Sequence, residues 1–157
     1  MFKRTSLSCK TLITVIAACS GLAGSLQSAS AGPFSATGTV IAVLSDDLFV
    51  GEAEGHINGT GTVSIRSQKN PNLTCRGEFA SNAERGGSGK LVCNDGDTAT
   101  FQFQRLSVYR GHGVANFSRG AMSFAYGFTA DEAAPYLKVP SGKKLKHDGT
   151  QLVLADL

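Results

Sequence analysis

The sequence predicts an all-β fold: an antiparallel meander or small barrel of about eight strands, with one short helix near the C-terminus. Three observations carry that expectation. Large apolar residues alternate with small or polar ones through most of residues 36–128. Glycine supplies 19 of 157 residues, against two Met and no Trp, a poor composition for a helical bundle. Gly-x-Gly openings recur before strand-like runs, at Gly59-Thr-Gly61, Gly87-Ser-Gly89 and Gly111-His-Gly113.

The chain begins with an export signal. Lys3, Arg4 and Lys10 precede an apolar run from Thr11 to Cys19 that continues in small residues to Leu26. Ala29-Ser30-Ala31 closes it as a small-x-small cleavage site. The apolar part is too short and interrupted to span a bilayer. Cleavage between Ala31 and Gly32 divides the chain into a signal peptide, 1–31, and a single β domain, 32–157. A second reading competes. Ile16-Ala17-Ala18-Cys19 fits a loose lipobox in which Cys19 becomes the lipidated first residue. Ile in place of Leu weakens that match, and the Ala-x-Ala site is better formed.

The strands follow. In Gly61-Thr-Val63-Ser-Ile65, Val63 and Ile65 face inward. Cys75 and Phe79 share a face of one strand, and Leu91 and Cys93 share a face of the next. A hairpin that pairs Cys75 with Cys93 centres its turn on Glu84, where Asn82–Gly87 is suitable loop material. Phe101 and Phe103 share a face, as do Met122, Phe124, Tyr126 and Phe128. Thr129 and Glu132 form a capping box for a short helix over Ala130–Ala134, limited by Pro135. Leu137–Gly142 reads as an extended segment and turn, Lys143-Lys144-Leu-Lys146-His147 as a solvated basic loop, and Gly149–Leu154 as a last strand. The 129–157 segment either pairs back on the sheet or forms a mobile tail.

Charge and cysteine arithmetic narrow the function. The chain holds 15 basic and 12 acidic residues, for a net charge of +3. Lys3, Arg4 and Lys10 account for the whole excess, so the exported domain is neutral. Nucleic acid, which needs a concentrated cationic surface, is not an expected partner. Nor does the mature chain hold an integral membrane span. Of the four Cys, only Cys75 and Cys93 follow the signal. In an oxidising compartment they form a structural disulfide. Two Cys without clustered His cannot supply four zinc ligands, so no metal is expected.

No catalytic constellation stands out, and neither an enzyme nor a cofactor is expected. His56, His112 and His147 are the only histidines. His112 lies between glycines and reads as a surface-loop residue, with no Gly-x-Ser-x-Gly elbow to support a triad. Glu52 and Glu54 share the outer face of a strand just after Asp46-Asp47. They read as solvated charges that discourage edge pairing, not as a glycosidase pair. Gly86-Gly-Ser-Gly89-Lys90 fails as a phosphate loop, because Glu84 and Leu91 occupy the diagnostic positions.

Two resemblances add to this reading. The glycine-rich hairpins of residues 49–118 resemble MORN repeats, with Gly51-Glu52 and Gly77-Glu78-Phe79 as half-matched openings. The whole chain is similar to small Sec-exported, uncharacterised β-rich proteins of alphaproteobacteria of the Brucella kind. The phrases that carry this are Cys75-Arg-Gly-Glu-Phe79, Gly87–Gly96, Met122–Phe128 and Asp131-Glu-Ala-Ala-Pro-Tyr136. That resemblance implies a non-enzymatic exported protein that binds another protein. Its partners would be the Sec export machinery and, for a type IV secretion effector, a secretion system and a host protein. The implied location is the periplasm, the medium or a host cell. A resident envelope protein, lipidated at Cys19 in the outer membrane, is the alternative, and a small hydrolase using His112 a distant third.

Overall fold

The computed structural model describes residues 35–82 and 84–157. The export segment, the Ala31–Gly32 cleavage site and Cys19 lie outside the described residues. Eight antiparallel strands run up and down in sequence order: β1 (Ser35–Leu44), β2 (Asp47–His56), β3 (Thr60–Ser67), β4 (Thr74–Asn82), β5 (Gly86–Cys93), β6 (Thr98–Arg105), β7 (Gly111–Phe117) and β8 (Gly120–Tyr126). β8 then pairs with β1, from Val40 opposite Tyr126 to Leu44 opposite Met122, and closes a barrel. A short helix α1 (Ala130–Ala133), a 3₁₀ turn (Ala134–Tyr136) and a separate hairpin of β9 (Lys143–Asp148) and β10 (Gln151–Asp156) complete the chain.

Period-two alternation sorts the side chains. The interior core takes Val40, Ala42, Leu44, Phe49, Ile65, Cys75, Leu91, Phe101, Phe103, Met122 and Phe124. Polar residues of the same strands face out, as expected where only one face is buried. The β4–β5 register places Cys75 opposite Cys93 and Asn82 opposite Gly86, so the hairpin turns about Glu84 as the sequence predicts. The two cysteines are bonded inside the barrel, across 18 residues of sequence. The turn thus fastens this hairpin at one end of the barrel and the disulfide fastens it at the other.

β1 is buried on both faces, with Val40 to Leu44 all inaccessible. Its outward Ile41 and Val43 join Leu48, Ala125, Ala130, Ala133, Leu137 and Leu152 in a second apolar cluster. The C-terminal segment therefore does carry a last strand, but that strand pairs within a separate hairpin and not with the barrel sheet. The segment lies over the outer wall of β1, β2 and β8. The Lys138 amide donates to the buried Ser123 hydroxyl at 2.7 Å, satisfying the polar group that this cover would otherwise bury unpaired. The basic cluster at 143–147 is strand β9, not a loop. Pairing with β10 satisfies its backbone and brings Leu145 and Leu154 against the second cluster.

Two further expectations need correction. Phe128 does not continue the inward face of β8. Gly127 adopts φ +73° and donates to the Thr39 carbonyl at 2.8 Å, which ends the alternation. Phe128 then stacks on Tyr136 outside the barrel, 5.2 Å between ring centroids. Glu52 and Glu54 do not guard an edge, because closure leaves the barrel none. The α-helix ends at Ala133, short of Pro135 as the sequence predicts. The chain then tightens into the 3₁₀ turn, whose first residues need no amide donor.

Glu132 fastens the start of α1. Its carboxylate accepts from the Thr129 amide and hydroxyl, both at 3.0 Å, and pairs with Arg110 at 3.1 Å. The Thr129 backbone and hydroxyl hydrogen bonds, followed by the Arg110 charge, hold this carboxyl below the ordinary glutamate range. A depressed folded-state pKa stabilises the fold above the free glutamate value, near ~4.3, and the contribution disappears as pH falls through the lower folded value. Thermal midpoints measured from pH 6 to pH 3 should fall, and Glu132→Gln should show a smaller fall over the acid end of that window.

Candidate functional site

The two ends of the barrel differ. At one end the turns after β1, β3, β5 and β7 are tied together, and Leu44, Phe49, Leu73 and Phe117 belong to the interior core there. Ser67 Oγ donates to Asp47 at 2.7 Å and accepts the Asn70 amide at 2.9 Å. Arg119 joins Asp95 and Asp97 at 3.3 and 3.2 Å. At the other end, where β2, β4, β6 and β8 finish, the interior opens to solvent through a cavity of about 530 Å³. Eight strands give an interior that side chains can fill or that can hold one small ligand. Glycine decides for the second outcome here.

Five interior aromatics sit opposite a glycine on the neighbouring strand: Phe79 opposite Gly61, Phe101 opposite Gly89, Phe103 opposite Gly87, Phe124 opposite Gly113 and Tyr126 opposite Gly111. A Cβ on Gly89 would lie 2.4 Å from Phe101 Cζ, and one on Gly61 2.2 Å from Phe79 Cζ. The rings therefore lie flat on the backbone of β3, β5 and β7, where any side chain would lift them toward the axis. This is the physical meaning of five of the six glycines in the three Gly-x-Gly openings; Gly59 instead turns the chain, with φ +83°. The rings also meet edge to face, Phe79 with Phe103 at 5.6 Å, Phe101 with Phe124 at 5.8 Å and Phe103 with Tyr126 at 5.9 Å. Such pairs add about 0.5–1.5 kcal/mol each beyond burial. The wall is thick with aromatic surface and the axis stays empty.

Most of the lining is apolar, with Val63, Ile65, Leu91 and Met122 below the aromatic belt. Polar groups gather near the mouth. Arg105 Nη2 donates to Ser81 Oγ at 2.9 Å, and Ser81 donates to the Gly59 carbonyl at 3.2 Å. The Tyr126 ring crosses Gly111, which pairs with Arg105 on its other side. Burial raises the Tyr126 phenol above its ordinary pKa, and the nearby Arg105 charge only partly offsets this. The guanidinium lies close enough to act on the phenol through both its charge and a hydrogen bond, yet among the described residues no contact of the hydroxyl reaches ordinary hydrogen-bond geometry. Arg105 Nε is likewise buried and unpartnered. Among the described residues Arg105 makes no ion pair, and the cavity lining contains no Asp or Glu. Ile57, Val108 and Tyr109 form an apolar rim, each more than half exposed.

The residues singled out from sequence are scattered. His56 lies at the mouth, and His147 is exposed on β9. His112 is not in a loop. It lies on the outer face of β7, half-buried, and stacks on Tyr136 at 4.6 Å. Its flanking glycines face inward to receive Phe124 and Tyr126, so they do not free its ring. Glu52 and Glu54 stand on the outer wall of β2, with Ser64 and Thr62 opposite on β3. Sequence reasoning missed Arg105. The signal was present: it is the next inward position after Phe101 and Phe103, a lone charge on an apolar stripe.

No family model, curated protein or solved structure matches this chain.

Proposed function

We propose that this protein is a non-enzymatic binding protein that encloses a small, largely apolar molecule inside its barrel. The observation that carries this reading is the mouth-open cavity of about 530 Å³, lined by aromatic and aliphatic side chains. Its size falls within the range typical of ligand pockets, and a few polar groups stand at one end of an otherwise apolar lining. An exported setting belongs to the same proposal. The signal-like N-terminus and the disulfide both support it.

Fluorescence titration with the neutral apolar probe N-phenyl-1-naphthylamine tests the cavity. One probe should bind per barrel. Ala53→Phe, which places a ring in the space beside Val63, should weaken binding at least about tenfold. No binding, or equal binding by this variant, would refute enclosure.

A second reading follows from the rim. Ile57, Leu106, Val108 and Tyr109 are exposed on the β2–β3 and β6–β7 loops at the open end. Apolar side chains grouped on loops favour contact with another protein. In the setting implied by the resemblance, that partner is a host factor met after type IV delivery. A C-terminal reporter followed during infection checks delivery, and a signal independent of the secretion apparatus, or none, removes this reading.

Among the described residues no helix is long and apolar enough to cross a membrane.

A further inference from the structure

We infer that the molecule held by the barrel is an amphipathic carboxylate, with its charged head at Arg105 and Tyr126 and its apolar body running toward Ile65, Leu91 and Met122. The inference rests on the cavity-binding reading and names its ligand class. Three observations converge on it. A half-buried guanidinium lines the mouth of an apolar cavity, and among the described residues the lining holds no carboxylate and Arg105 makes no ion pair. A guanidinium so placed is a ready partner for an anionic group. Two polar groups there, Arg105 Nε and the Tyr126 hydroxyl, are buried with no hydrogen-bond partner of ordinary geometry among the described residues. Buried groups of this kind are normally satisfied, and a small turn of either side chain would present it to a carboxylate, whose two oxygens can accept from both. Finally, the guanidinium is already positioned. Nη2 is held by Ser81 and Ser81 by Gly59, so binding need not immobilise a free arginine.

The geometry also orders the ligand. Arg105 and Tyr126 are the last residues of β6 and β8, at the open end, whereas Ile65 and Met122 lie deeper on β3 and β8. The head would lie near the mouth and the body would enter the barrel. A neutral molecule of the same shape would fill the body site and leave both donors unsatisfied. Discrimination in favour of the carboxylate is expected to be strong, because it alone gains charge-assisted hydrogen bonds to groups that are otherwise unpaired.

Isothermal titration of the intact, oxidised protein at pH 7 with dodecanoate and with dodecanol, below their aggregation concentrations, tests this. The carboxylate should bind at least about tenfold more tightly than the alcohol. Arg105→Met should collapse that ratio toward one, with thermal melting as the check that the barrel is intact. Tyr126→Phe removes one donor from an unchanged ring and should narrow the ratio several-fold, which keeps the test open if Arg105→Met fails to fold. Equal affinities in the wild type, or a ratio that survives both substitutions, would overturn the carboxylate inference and leave apolar enclosure standing. Binding of neither ligand, together with no binding of the naphthylamine probe, would overturn both.

Discussion

Replacing Cys75 and Cys93 together by alanine should lower the unfolding free energy by about 3 kcal/mol. The bridge closes 18 residues of sequence, and its main effect is to restrict the unfolded chain. In urea, with slopes of about 1–3 kcal/mol/M for small proteins, the midpoint should fall by roughly 1–3 M. Both sulfurs lie in the interior core, so alanine also leaves a small void. Chemical reduction of the wild type separates the two effects, because the thiols still fill the space. A midpoint within ~0.5 M of the oxidised protein after full reduction would show that the β4–β5 turn and the barrel closure already fix this hairpin.

Gly89→Ala should have an effect of similar size from the opposite cause. Its added methyl would lie 2.3 Å from the Glu78 carbonyl and 2.4 Å from Phe101 Cζ. A side-chain ring can swing away, whereas the β4 backbone can yield only by distorting the ladder. Overpacking of this sort costs about 1–3 kcal/mol and occasionally more. Ser88→Ala, one residue away on the outer face, should change stability by no more than ~0.5 kcal/mol. Adding Phe101→Leu to Gly89→Ala should recover part of the loss, since it removes one of the two clashes. Equal effects at positions 88 and 89 by denaturant unfolding would contradict the flat packing of rings on glycine. Displaced rings also intrude on the cavity, so Gly89→Ala should weaken probe binding while a folded barrel persists.

The candidate site was legible only in pieces. Alternation placed Phe101 with Phe103, and Phe124 with Tyr126, on shared faces, which the barrel turns inward, and the three Gly-x-Gly openings were visible as a repeat. Their complementarity was not visible, because five of these six glycines receive a ring from a neighbouring strand. Arg105 reads in sequence as the polar end of a strand. Only closure brings Tyr126 beside it and shows that no acid among the described residues shares the lining. His112 drew attention through its glycine neighbours, yet those glycines serve Phe124 and Tyr126 on the far face of the same strand.

What the amino-acid sequence determined by itself is therefore local. It set the all-β class, the inward faces of the strands, the Cys75–Cys93 register about Glu84 and the start of the helix at Thr129. Each depends on a period of two, a turn or a cap that acts within one hairpin or one turn of chain. The tertiary structure decided what depends on distance. β8 meets β1 across the whole barrel, and Gly127 sends Phe128 outward. The segment after it covers Ile41 and Val43 as an outer layer. The hollow interior also belongs to this level. Its volume is what remains when eight strands close at a fixed width and rings lie flat on glycine, a balance of space that no single stretch of sequence contains.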